Sequence, residues 1–239
     1  MPSIEEHVFS LTRKVEVFLN MINYDPNKHL SDLEDTQQAD SEINSRARAR
    51  AAWILNSGKL EQWVLHQQSR FVVINGHDAT SERHSPVSTL SAVIAKALYN
   101  KTSGCTLYWG CAQNIHQDAG DSIKNMMGQL LHYGDDTLMS KLWENLMSPN
   151  RTTFEELSKL FSSLLLAQLS KTDIYIIIDS ISAYEDSPRS ISTRHLFDRL
   201  YNLVEDDDEA HALKVLVTSP TRSVFLGTVL DDHEPTLLQ

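Results

Sequence analysis

Residues 174–178 read Ile-Tyr-Ile-Ile-Ile, and Asp179 closes the run. Five apolar positions in a row leave neither face of an extended segment for water, so a strand here must be buried on both sides. Two other runs share that texture. Phe71-Val-Val-Ile74 is bounded by Asn75-Gly76, and Leu213-Lys-Val-Leu-Val217 closes on Thr218-Ser219-Pro220. Cys105 to Cys111 reads as a further strand. Its two cysteines would lie about 20 Å apart along the strand, too far to form a disulfide with each other.

Helical patterns fill the intervals. Ser85 is a suitable N-cap and Pro86 a suitable first-turn residue, followed by the stripe Val87, Leu90, Ile94, Ala97 and Leu98. Residues 120–133, 154–169 and 193–204 carry apolar faces of the same period. A helix from Ile43 to Gln67 is expected to break at Ser57-Gly58. Strands alternating with helices give right-handed crossovers and a mostly parallel sheet with helices on both faces. Only Val224-Phe225-Leu226 and Thr236-Leu237-Leu238 remain as candidates for a last strand.

The N-terminus is organised differently. Ile4, Val8, Leu11, Val15, Phe18 and Ile22 recur at intervals of three and four, an apolar stripe close to a heptad seam. The stripe suits docking on the chain's own core, on a protein partner or on a second copy. Residues 31–41, SDLEDTQQADS, read as a linker. The chain therefore divides into an amphipathic helix over 1–30, an acidic linker and helix start over 31–50, and an α/β domain over 51–239 that is expected to be cut short at its C-terminal side.

Charge and composition exclude several classes. The net charge of −11 disfavours binding to phosphate backbones, so no nucleic-acid partner is expected. Arg46, Arg48 and Arg50 form the one dense basic run and read as a solvated face. No apolar run is long enough to cross a membrane, and residues 1–21 lack the core of a signal peptide. A cytoplasmic or nuclear location follows, and the sequons at Asn100 and Asn150 are taken as chance matches.

Ligands of parallel sheets sit beyond the strand C-termini. The residues there form an incomplete P-loop NTPase frame. Asp179 stands where an acidic residue would hold Mg²⁺, and Thr218-Ser219 end another strand in hydroxyls. The phosphate loop is the defective part. Counting the motif from Gly76 puts Ser81, Glu82 and Arg83 at its Gly, Lys and Ser/Thr positions; setting Ser88 as the Mg²⁺ hydroxyl puts Val87 and Pro86 there instead. A carboxylate repels phosphate, and proline lacks an N–H donor. ATP hydrolysis is not expected, and no cofactor is required. A weak ATP or ADP site with Mg²⁺ would use Gly76, Ser85, Ser88, Thr89, Asp179 and Ser219, with Asp179 on the metal.

The segments Trp53-Ile-Leu, Trp63-Val-Leu, Phe71 to Gly76, Ser85-Pro-Val-Ser88, Asp179-Ser-Ile-Ser-Ala-Tyr-Glu185 and Lys214 to Pro220 together resemble fungal NACHT/STAND-type P-loop NTPase domains, in a subgroup with a degenerate Walker A loop. The resemblance spans about residues 51–225. It implies a signalling or scaffold module, usually a switch held by ADP or ATP. It matches Asp179 to the Mg²⁺-site acid and Thr218-Ser219 to the sensor position, where Pro220 replaces an expected Arg. The family lysine has no counterpart.

Other constellations are weaker. His77, Asp78, Glu82 and His84 crowd one loop, but at no usual zinc spacing. Ser180, Ser182 and His195 superficially suggest a hydrolase, without the G-x-S-x-G turn.

Overall fold

The computed structural model of the chain describes residues 15–38, 45–76, 85–101, 103–133, 138, 153–185, 188–206, 210–221, 223 and 236–238. The apolar runs are strands: β1 (Arg70–Asn75), β2 (Cys105–Gly110), β3 (Ile174–Asp179) and β4 (Leu213–Ser219). A short β5 (Thr236–Leu238) realises the second of the two late candidates. The sheet order is β2-β3-β4-β1-β5, and every neighbouring pair is parallel. All C-termini therefore emerge along one edge. Asn75 pairs with Ser219 in register, and Gly110 with Asp179.

Alternation along the strands distributes the core between two faces. Phe71 and Val73, Ile174, Ile176 and Ile178, and Val215 and Val217 belong to one cluster. It is completed by α6 (Ala119–Tyr133), α7 (Phe154–Leu169) and α8 (Ser190–Glu205). Val72, Ile74, Tyr175, Ile177 and Leu216 face the other way. There they meet α2 (Lys28–Gln38), α3 (Ser45–Asn56), α4 (Lys59–Leu65) and α5 (Pro86–Lys101). The expected break between α3 and α4 falls at Ser57-Gly58, where Gly58 takes the left-handed φ of 73°. Thr153 starts α7 with a reciprocal capping box to Glu156. Both cysteines are free and buried.

Residues 31–38, expected as linker, are instead helical and structural. In α2 the buried side chains are Asp32, Leu33 and Thr36. An inward face with one apolar residue among polar ones carries no apolar period, which is why the sequence reads as a loop. The polar groups are satisfied by specific partners. Asn114 Nδ2 donates to Asp32 Oδ2 at 2.8 Å, Gln113 Nε2 donates to Thr36 Oγ1 at 2.7 Å, and Lys28 pairs with Asp32 at 2.8 Å.

Residues 15–21 form the described part of helix α1. Phe18 is 2% exposed within the α6–α8 core, and Leu19 and Ile22 pack beside it. The C-terminal end of the apolar stripe thus docks on the chain's own core. Ile4, Val8 and Leu11 lie outside the described residues. Since α1 sits on one face and Leu33 of α2 on the other, residues 15–38 form a strap around the β2 edge. At the crossing, the Tyr24 ring lies directly on Gly128 of α6, in space that any Cβ would occupy.

Candidate functional site

Asp179 ends β3 completely buried, at 0% exposure. Both carboxylate oxygens accept hydrogen bonds from hydroxyls: Oδ1 from Thr218 Oγ1, and Oδ2 from Ser180 Oγ at 3.0 Å. The single hydroxyl proton of Ser180 is thereby used, so Ser88 Oγ, 2.8 Å away, is the donor to Ser180. Ser91 hangs one turn further along α5, its hydroxyl on the Ser88 carbonyl at 2.8 Å. Burial drives the Asp179 carboxyl above its ordinary range, and the hydroxyls of Thr218, Ser180, Ser91 and Ser88 offset this only in part.

The backbone is bent to make this arrangement. Ser180 adopts φ 58° and ψ 46°, a left-handed conformation that is unfavourable for a residue with a Cβ by about 1–2 kcal/mol. In return its N–H reaches Thr218 Oγ1 at 3.3 Å while its hydroxyl faces Asp179. The Gly76 N–H donates to the Ser219 carbonyl at 2.7 Å, and a Cβ on Gly76 would stand 2.5 Å from the Pro220 carbonyl oxygen. That approach requires glycine. Asn75 Oδ1 accepts from the Ser223 N–H, and the Ser223 hydroxyl bonds Glu185, tying the ends of β1, β3 and β4 together.

Ser88, Asp179 and Thr218 therefore meet in one hydroxyl–carboxylate cluster. Ser85 is spent as the α5 N-cap, accepting from the Val87 N–H at 3.1 Å. Thr89 Oγ1 and Ser219 Oγ are buried without a hydrogen-bond partner. Of the two motif registers, the one built on Ser88 brings a hydroxyl toward Asp179; residues 81–83 of the other lie outside the described residues, as do His77, Asp78 and His84. Among the described residues no group of three His, Cys, Asp or Glu side chains could hold a metal. His195 packs its ring near Phe154, while the Ser180 hydroxyl is committed to Asp179.

Sequence reasoning missed Ser91 and Tyr108. The Tyr108 hydroxyl is buried without a hydrogen-bond partner, and burial together with the Asp179 charge pushes its phenol well above its usual range. A tyrosine inside an apolar strand gives no sequence signal of facing a carboxylate.

The raised Asp179 pKa has a measurable consequence. The folded chain holds this proton more tightly than the unfolded chain, so the contribution of Asp179 to stability is fully present below the unfolded carboxyl pKa of about 4 and is lost as pH rises through the folded value. Asp179→Asn should remove that falling limb from the stability–pH curve. Parallel curves for the two proteins in denaturant titrations at stepped pH would contradict the assignment.

A parallel sheet wrapped by helices, with an acid, hydroxyls and a helix N-terminus converging at the strand C-termini, defines an NTPase-like α/β domain. Residues 50–220 match the family model described as Nephrocystin 3, N-terminal, and the chain belongs to that family. Comparison with curated proteins and with solved structures gives no match. Among the described residues no helix is long and apolar enough to cross a membrane.

Proposed function

We propose that the chain is a non-catalytic, NTPase-like interaction or scaffold module, a NACHT/STAND-type domain of the fungal kind with a degenerate Walker A loop. The observation that carries this reading is the closed Asp179 cluster. A Mg²⁺ ligand must be ionised and must turn an oxygen to the metal. Here both oxygens accept from protein hydroxyls, and burial favours the protonated acid. The neighbouring α5 turn offers Val87 and Pro86 where phosphate needs an ammonium and an amide donor. The donor set does not fit a Mg-nucleotide. An acidic chain so built is expected to work through protein partners, in the cytoplasm or nucleus, and not through nucleic acid or membrane.

A second reading, weak ATP or ADP binding, is favoured by the buried, unpartnered hydroxyls of Thr89 and Ser219, next in sequence to Ser88 and Thr218. Thermal melting separates the two. Nucleotide at 100 times its Kd adds about 2.7 kcal/mol, a rise of roughly 5–10 °C for a chain of this size. The module reading expects no shift with millimolar Mg-ATP or Mg-ADP. A clear rise that disappears in Asp179→Ala would overturn it.

A further inference from the structure

A polar cavity that shares no residue with the Asp179 cluster lies where the N-terminal strap meets α6. It measures about 270 Å³ and is lined by Asn23, Asp25 and Lys28 from the strap and by Gln117, Asp121, Lys124 and Asn125 from the domain, with Ile22 and Tyr24 as an apolar side. Clefts between two packed units, with a few convergent polar groups, are the usual places for small ligands.

The donors on its floor are fixed by the fold. Gln129 donates to the Tyr108 carbonyl and accepts from the Tyr108 N–H, at 2.7 and 2.9 Å, which sets its amide orientation. Its Nε2 also donates to Asn125 Oδ1 at 2.6 Å. The Asn125 oxygen is therefore the inward end, and its NH₂ is the end left for the cavity. Asn125 is only 9% exposed. A nearly buried carboxamide whose donor end lines an open space, held by a bonded chain two residues deep, is a pre-oriented recognition group. Lys28 and Lys124 each use one ammonium proton, on Asp32 and Asp121, and retain two more. On the strap side Asp25 accepts from the Asn27 N–H and shares the cavity with Lys28 and Lys124, without an ion pair to either among the described residues.

We propose that this cavity binds a small zwitterion of the α-amino-acid class. Its carboxylate meets the Asn125 amide and the two ammoniums, and its ammonium meets Asp25. The lining carries both signs of charge, Asp25 and Asp121 with Lys28 and Lys124, so a plain anion meets two carboxylates and a plain cation meets two lysines. Because the ligand touches strap and α6 together, its binding fastens the strap to the domain.

The test uses the full chain and thermal melting, with each proteinogenic L-amino acid as probe. Acetate and propionate serve as acid-only controls, and ethylamine as the amine-only control. At least one amino acid should raise the melting temperature while the controls do not. Asp25→Asn, at an exposed position, and Lys124→Met, at a half-buried one, should each weaken that binding by about 10-fold or more, the worth of a hydrogen bond to a charged group. An equal shift from acetate or propionate would overturn the zwitterion assignment. So would no shift with any amino acid, or a shift that both variants retain. The cavity shares no residue with the Asp179 cluster, so these results stand or fall separately from the nucleotide melts.

Discussion

A chain that begins at residue 42 is expected to lose cooperative melting at room temperature, although the family match begins only at residue 50. The strap supplies Phe18 to one core and Leu33 to the other. Deleting a buried phenylalanine side chain alone costs about 3–5 kcal/mol. Removing Leu33 adds about 2–3 kcal/mol of lost burial. The cut also strips Asn114 Nδ2 and Gln113 Nε2 of their partners on Asp32 and Thr36. Each buried donor so exposed costs about 1–3 kcal/mol if water cannot replace the bond. Together these terms reach the whole stability of an ordinary domain, about 5–15 kcal/mol. Phe18→Ala, tested in parallel, should remain folded and melt roughly 10 °C lower. If the shortened chain melted within a few degrees of the full one, the strap would be an accessory and not part of the fold.

The strap also lies at the limit of what the sequence makes legible. The four long strands were legible because burial on both faces leaves a near-continuous apolar run, a signal independent of anything distant. The capped start at Ser85 is local too. The role of α2 was not legible, because its inward residues are polar and become acceptable inside only through Gln113 and Asn114, about eighty residues away. Lys214 gives the same lesson. It interrupts an apolar run, yet it is buried, donating from Nζ to the carbonyls of Val64 and His66 at the C-terminal end of α4. A cation at that end of a helix is favourable, while burial lowers its pKa. At the candidate site the acid and the strand-end hydroxyls could be named in advance. That they bond to one another, with Ser180 forced into a left-handed turn to do so, depends on the register between β3 and β4 and on the start of α5, which no short motif encodes.

Gln129→Leu should be strongly destabilising although it conserves volume. β2 is an edge strand, and edge strands expose backbone groups that must be paired, covered or solvated. Gln129 acts as the missing neighbour: its amide oxygen accepts from the Tyr108 N–H, and its nitrogen donates to the Tyr108 carbonyl. The same oxygen accepts from the Tyr99 hydroxyl at 3.1 Å. Leucine matches the volume but offers nothing to these groups, and Gln129 is only 1% exposed, so water is not at hand. Two backbone groups left unpaired in the interior cost about 1–3 kcal/mol each, so a loss of about 3–5 kcal/mol and a melting temperature roughly 10 °C lower are expected. A glutamate variant separates hydrogen bonding from packing. Gln129→Glu keeps the acceptor for the Tyr108 N–H but loses the donor to its carbonyl and buries a charge, so at neutral pH it should be no better than leucine. As the pH falls, the introduced carboxylate takes up a proton and regains an O–H donor, so the glutamate variant should recover relative to the leucine one. A loss below about 1 kcal/mol for Gln129→Leu would mean that the β2 edge is already solvated, and that the orientation assigned to Asn125 has no anchor.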